Sequence, residues 1–350
     1  MDTAQGTAVN VQDQNVLSRG SQSGWWRSKS MKRFRRNPLA IVGVLLLASF
    51  IVTALFAAPL TSTQLINTRN NCVRDLGLSA STVTDIRNPL TPVFWRSVFA
   101  PPAACFDMPR ASYSPVPTPP SEGSFLGTTG GGYDIFYGLI WGARSAFYVG
   151  VIVTGISVLI GIVVGSVAGF FGGWVDNLLM RIVDIIFAIP SLVLAIVIVA
   201  ILGQSLQNVV IALTIFGWAG YARLLRGDIL QLKEREFVDG ARALGAGSGR
   251  LIFRHILPNA IGPLIIIASL DIGSVVLTVA ALSFLGLGAP IGYADWGQMI
   301  NFARDWLQGP PGQPFAYWYV SFWPGLIIVL FVLSWNLLGD AVRDVLDVRS

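Results

Sequence analysis

The sequence predicts an all-α polytopic membrane protein with about six transmembrane helices. Two observations carry that expectation and a third orients it. Of 350 residues, 53% are hydrophobic and only 12% charged, roughly half the charged share of an ordinary soluble domain. Long uncharged runs extend from Leu39 to Leu60, Ser145 to Val175, Ile185 to Ala222, Ile256 to Ala294 with Asp271 as the lone interruption, and Trp306 to Gly339. The basic residues gather beside these runs instead of covering an aromatic-studded surface, which argues against nucleic acid as a partner and for membrane lipid.

A bilayer crossing takes about 20 residues of helix. The run 185–222 is too long for one crossing, and Gly203-Gln204-Ser205-Leu206-Gln207-Asn208 is a natural turn inside it. Spans are therefore expected near 39–60, 145–171, 178–202, 208–230, 259–287 and 317–340. Seven Lys/Arg precede the first of them (Arg19, Arg27, Lys29, Lys32, Arg33, Arg35, Arg36), and seven more lie in 223–258 (Arg223, Arg226, Lys233, Arg235, Arg242, Arg250, Arg254). With six spans both groups fall on one side, together with Arg343 and Arg349, and the positive-inside rule makes that side the cytoplasm. Both termini are then cytoplasmic. The turn at 203–208 has no cation and the loop 288–316 only Arg304, as outside loops should.

Four regions follow. Residues 1–37 form a cytoplasmic tail, too long and polar for a signal peptide, so that the first span, 38–60, stays in the mature chain. Residues 61–133 form an extracytoplasmic insertion whose Pro115–Pro120 stretch reads as an extended connector. It holds five Arg, which long translocated segments tolerate, and both cysteines, Cys72 and Cys105. In an oxidising compartment these either pair or remain two free thiols. Residues 134–350 carry the other five spans and a cytoplasmic loop, 231–258.

That loop is the most informative segment. Phe237, Ala241 and Leu244 recur at helical spacing, Gly245 can end the helix, and Leu251, Ile252 and Ile256 begin a second apolar face before Pro258. Two short helices lying under the membrane are expected, although periodicity alone fits any amphipathic loop equally well. Chemistry is sparse elsewhere. One histidine, His255, and two cysteines assemble no cluster of metal-ligand spacing. His255 has no nucleophile or acid in a suitable context beside it, so packing next to the loop is its expected role and no catalytic residue is assigned. Gly245-Ala246-Gly247-Ser248-Gly249-Arg250 is glycine-rich but lacks the Gly-Lys-Ser/Thr that closes a phosphate loop.

Two features inside the spans stand out. Gly161, Gly165 and Gly169 fall four apart and make one smooth helix face, suited first to core packing and second to contact with a partner chain. Asp271 is a carboxylate near the middle of a span, costing about 2.5–3.5 kcal/mol on insertion scales unless it meets water or a partner. It either lines a translocation path or makes a structural hydrogen bond, to Ser269, Ser274 or another helix.

The stretch Glu236-Phe237-Val238-Asp239-Gly240-Ala241-Arg242-Ala243-Leu244-Gly245-Ala246, with Leu257-Pro258 downstream, resembles the EAA loop of type I ABC importer permeases. Leu126-Gly127-Thr128 with Gly132 and Asp134, Gly142-Ala143-Arg144-Ser145, Gly172-Gly173 with Asp176, Met180-Arg181 with Asp184, Leu282-Ser283-Phe284-Leu285-Gly286-Leu287-Gly288, Trp296-Gly297, Phe322-Trp323-Pro324-Gly325 and Gly339-Asp340 with Arg343-Asp344 follow in the order of the second permease subunit of the dipeptide/oligopeptide/nickel family. The likeness covers about 126–348. It departs at Asp239-Gly240-Ala241, at Thr129 and Tyr133, at Val279 and at Val348, where relatives more often carry other residues.

The resemblance implies the type I importer permease fold in the bacterial inner membrane. It implies that Glu236, Asp239, Gly240, Ala241, Arg242, Ala243, Leu244, Gly245, Ala246 and Pro258 belong to the ATPase-coupling surface, and that the chain lacks a nucleotide site, ATP and Mg being bound by two partner ABC ATPases. The further partners implied are a second permease, forming a heterodimer, and an extracytoplasmic peptide-binding protein. The cargo implied is a di- or oligopeptide, with nickel or another small solute as the alternative. An ion-coupled secondary transporter is the rival class, and the sequence shows no internal repeat and few of the intramembrane carboxylates that class favours.

Overall fold

The computed structural model describes residues 37–67, 71–77 and 83–346, so the basic tail that helps to orient the chain lies outside the described residues, as does Arg349. Regular structure among the described residues is helical, with isolated β-bridges only. The first span is α1, Pro38–Leu55, started by the Asn37 side chain, which accepts hydrogen bonds from the Leu39 and Ala40 N–H groups, and by proline at the first helical position. Eighteen residues at 1.5 Å each make it about 27 Å long, close to the hydrocarbon thickness. Short helices α2 (Ala57–Leu60), α3 (Ser62–Asn67), α4 (Asn71–Asp75) and α5 (Pro92–Phe99) follow in the insertion. Then come α6 (Ile135–Phe171), α7 (Gly173–Phe187), α8 (Ser191–Leu202) and α9 (Leu206–Leu232). The chain is completed by α10 (Glu236–Ala243), α11 (Ser248–Phe284), α12 (Trp296–Ala303) and α13 (Trp318–Leu346).

Five of these helices, α1, α6, α9, α11 and α13, are long and apolar enough to cross a membrane. The expected span at 178–202 is not one helix: α7 and α8 meet at 82° across a short break, and count as a sixth crossing only if taken together as one broken span. Pro190 supplies the reason. It has no N–H for the helical ladder, and its ring pushes Ile189 out of the α conformation. The span expected at 145–171 begins ten residues earlier, because Asp134 caps α6 by accepting the Tyr137 N–H at 2.7 Å. The loop expected at 288–316 contains α12, which carries the buried Trp296.

Packing is set by glycine on one side and aromatic rings on the other. Gly161, Gly165 and Gly169 of α6 face α9; a Cβ at Gly165 would come within 2.7 Å of the Ala222 carbonyl oxygen, and one at Gly169 within 3.0 Å of Ile229. The glycine face is therefore spent inside this chain. Phe50 of α1, Trp296 of α12 and Phe331 of α13 form a second centre, with ring centroids 5.3 to 6.0 Å apart.

The insertion folds down onto that second centre. Cys72 and Cys105 form a disulfide, the Tyr137 hydroxyl donates to the Cys105 carbonyl at 2.7 Å, and the Trp141 indole donates to Thr61 at 3.0 Å. The Met108 N–H reaches Gly292 and the Ala294 N–H reaches Phe106, each at 2.7 Å, while Phe106 stacks on Tyr293. Even the Pro-rich connector is tied down, the Thr128 N–H donating to the Thr118 carbonyl at 2.9 Å. Residues 101–134 thus share one hydrophobic core with α6, α12 and α13.

Candidate coupling surface and intramembrane cavity

The segment 231–258 is built from its apolar residues outward. Val238 of α10 is fully buried and packs with Leu225 and Ile229 of α9 and with Leu251, Ile256 and Ala260 of α11. With Val238 and the half-buried Ala241 of α10 held this way, the opposite face stays bare: Glu236, Phe237, Asp239, Gly240, Arg242, Ala243, Leu244 and Gly245 are exposed, Leu244 to 90%. The exit from α10 is a Schellman turn. Gly245 sits at φ +83°, its N–H donates to Arg242 at 2.9 Å, and the Ala246 N–H donates to Ala241 at 3.1 Å. Nothing lies within 4 Å of a Cβ built on Gly245, so within this chain it is the backbone angle that demands glycine. Asp239 accepts from Arg242 at 2.9 Å, one turn on, at the rim of the same face.

Two separate short helices were expected here, and the structure corrects the second. Residues 248–256 run without a break into the long helix α11. Over Leu251–Ile256 the helix widens to π geometry. Proline explains the widening: Pro258 has no N–H to donate, the Leu257 N–H reaches back to Ile252, and the Asn259 side chain donates to the His255 carbonyl at 2.6 Å. Pro258 therefore marks a change of winding inside one rod that joins the bare face to the membrane interior.

Arginines of α9 brace this end of the bundle. Arg226 forms a bidentate pair with the buried Asp176 of α7, at 2.5 and 2.6 Å, and Arg223 pairs with Asp184. Lys233 donates to the Gly169 carbonyl at 3.2 Å. Asp176 and Asp184 stood out in the sequence only through family likeness; the arginines they meet lie about 40 to 50 positions away and could not be paired with them by spacing.

Asp271 lies on α11 and accepts a hydrogen bond from the Tyr221 hydroxyl of α9 at 2.6 Å. The partner is on another helix; Ser269 donates instead to the Ile266 carbonyl. The pair borders a cavity of about 210 Å³ between α6, α8, α9 and α11, which also receives Ser157, Thr154, Ser274 and Ser191. Ser157 and Thr154 are buried and their hydroxyls meet no acceptor or donor among the described residues. Gly217 opposite is what leaves room: a Cβ there would come within 2.6 Å of the Ser157 oxygen. A hole large enough for a small polar group, lined by a carboxylate and several hydroxyls, is thus set among apolar helices. Tyr221 and Ser157 escaped the sequence reading because nothing in their local pattern marks them.

Residues 161–350 match the family described as binding-protein-dependent transport system inner membrane component. The chain belongs to that family. Residues 24–71 match a second family model, the N-terminal TM domain of oligopeptide transport permease C. Among curated relatives, the dipeptide transport system permease protein DppC of Alkalihalophilus pseudofirmus is 38% identical over 92% of this chain and 89% of its own length. The oligopeptide transport system permease protein OppC of Bacillus subtilis is 34% identical over 97% of this chain and 94% of its own. The glutathione transport system permease protein GsiD of Pectobacterium atrosepticum is 39% identical over 73% and 81%. A chain from an inward-facing crystal form of the MetNI methionine ABC transporter covers 60% of this permease at 20% identity, with a TM-score of 0.48. The chain is thus a multi-pass permease component of the inner membrane.

Proposed function

We propose that this permease forms half of the translocation pathway of an ATP-driven importer for di- or oligopeptides, working as a heterodimer with a second permease. The observation that carries the reading is the bare face of α10: a short helix held from behind by Val238, ended by a left-handed glycine, and exposing Phe237 and Leu244 to whatever docks there. In a family of binding-protein-dependent permeases, such a face suits a cleft on an ATPase. Two ATPases bind ATP and Mg and hydrolyse the nucleotide, this chain contributing no catalytic group. Their closure moves α10, and α11 carries the motion inward as a continuous rod, in the way packed elements with two arrangements amplify small shifts. A peptide-binding protein delivers cargo at the opposite end, and both termini face the cytoplasm. Peptide as cargo is supported by the names of the curated relatives, two of which refer to peptides and one to glutathione.

Asp271, Tyr221 and the open hydroxyls belong in this reading to the path. Polar groups inside a membrane are costly enough that a set of them around an open space is better explained by passing cargo and water than by packing. The test uses the complete transporter in vesicles loaded with ATP. Asp271→Asn is expected to change the uptake rate of a tripeptide while the ATPase chains still co-purify and hydrolyse ATP. Unchanged uptake would remove Asp271 from the path, and failure of any ATPase to co-purify with the wild-type chain would overturn the whole reading.

A further inference from the structure

The insertion presents one face that its own fold does not use. Helix α5 buries Phe94, Ser97 and Val98 against the body of the protein and leaves Pro92, Trp95, Arg96 and Phe99 outward, a single stripe at helical spacing. Three of those four are apolar, and Leu90 in the preceding turn extends the patch. Trp95 is half exposed and Phe99 is 71% exposed, their rings stacked at 5.8 Å. Two large rings facing water would be a liability on a soluble cap.

The position of α5 says what covers it. Phe94, on its buried side, packs at 6.1 Å against Phe56, the residue that ends α1. Counted from Asn37, α1 has by then risen about 27 Å, close to the full hydrocarbon thickness, so a bilayer that begins at Asn37 ends near Phe56. The outward side chains of α1 and α2, including Val52, Leu55 and Leu60, run up to that same level. The α5 stripe continues this apolar surface past the end of the span.

Its polar groups are already satisfied from within. The Trp95 indole N–H donates to the Pro89 carbonyl at 2.9 Å, and Thr91 accepts the Phe94 N–H at the start of the helix. At the other end Arg144 of α6 donates to the carbonyls of Ser97 and Val98. A helix whose terminal carbonyls and indole have internal partners gives up no hydrogen bond to water when its outer face enters lipid. Arg96, at the edge of the stripe, donates one N–H to the Asp75 carbonyl at 3.4 Å, and a guanidinium has five N–H groups to offer.

We propose that α5 is an interfacial membrane anchor: Leu90, Trp95 and Phe99 insert into the lipid leaflet on the side of the membrane away from α10, with Arg96 at the headgroups. The insertion then serves as a cap fastened to the bilayer beside the first span. This rests on aromatic side chains favouring the membrane–water boundary and on amphipathic helices seating their apolar face there.

The test needs the complete transporter in vesicles of phosphatidylethanolamine and phosphatidylglycerol. Both natural cysteines are tied in the disulfide, so one introduced cysteine takes a nitroxide label cleanly. Labels are placed at Phe99→Cys, at Leu45→Cys on the outward side of α1 as a lipid control, and at Tyr113→Cys, exposed in the connector, as a water control. Collisional broadening by oxygen and by a water-soluble nickel chelate is then compared. The expected result is a gain in oxygen broadening and a loss of nickel broadening at position 99, as at position 45 and opposite to position 113. Nickel broadening at 99 equal to that at 113 would overturn the proposal, because the stripe would then be in water. Loss of both would overturn it as well, because a protein would then cover the face.

Discussion

The two ends of the bundle reach order by different means. On the side of α10, apolar side chains behind one short helix are joined by contacts from α9, Arg226 to Asp176, Arg223 to Asp184 and Lys233 to the Gly169 carbonyl, while the outward face of α10 carries almost nothing that binds to this chain. On the side of the insertion, polar and covalent links accumulate: the Cys72–Cys105 disulfide, the buried Asp134 with Ser124 at 2.9 Å, the Trp296 indole on the Leu139 carbonyl at 3.0 Å, and the exchange of backbone bonds between 106–108 and 292–294. Burial pushes the Asp134 carboxyl above its ordinary range, and the hydrogen bonds from Tyr137 and Ser124 pull it partly back. The body of the insertion is thus tied to the spans within this chain, with the α5 stripe left outward, whereas the α10 end is held rigid with its outer face open.

The largest effect belongs to Gly245. Gly245→Trp is expected to abolish peptide uptake while the spans still insert, since tryptophan is disfavoured at φ +83° and, on the proposed function, would have to enter the cleft of an ATPase. Gly245→Asn sharpens the point, because asparagine tolerates the left-handed conformation and should retain much of the activity. Uptake by reconstituted vesicles, with ATPase stimulation by loaded binding protein, is the measurement. A tryptophan variant that assembles and transports normally would mean that the α10 face is a plain connector.

At the other end, Cys72→Ser should loosen the insertion by about 3–4 kcal/mol on the chain-entropy model for a loop of this size. Thermal unfolding followed by limited proteolysis within 61–133 reads the loss, and mass spectrometry of the unreduced wild type should show one cross-linked peptide. Two alkylatable thiols in fresh membranes would remove the covalent half of the contrast.

Between the two ends, Gly165→Leu should cost about 1–3 kcal/mol, the usual range for overpacking, because α6 and α9 are in contact at that level. Loss of thermal stability in detergent without loss of membrane insertion is the expected signature. The smallest effect belongs to the rim pair. Arg242→Gln removes an exposed bond to Asp239 and should change stability by less than about 1 kcal/mol, with a modest, salt-sensitive change in coupled ATP hydrolysis. A large loss there would show that charge, and not shape, governs the open face.

Much of this was open to a reading of the residues in order, and the failures have a common cause. Uncharged runs locate the five helices long enough to cross a membrane, since avoiding water is a property of each segment by itself. Gly245 and the apolar spacing around it mark α10 and its end because capping is local. Pro190 is a local signal of the same kind, and it is what makes the run expected as one span at 178–202 a bent pair. No local signal could join Tyr221 to Asp271, Arg226 to Asp176 or Phe106 to Tyr293, residues that share a site only after the chain has folded back on itself. Hydropathy, capping and backbone preference act between near neighbours and are written in residue order. Which carboxylate meets which donor, whether a cavity stays open between four helices, and how the insertion settles beside α1 are decided by packing, because their energies exist only between distant segments once these are in contact.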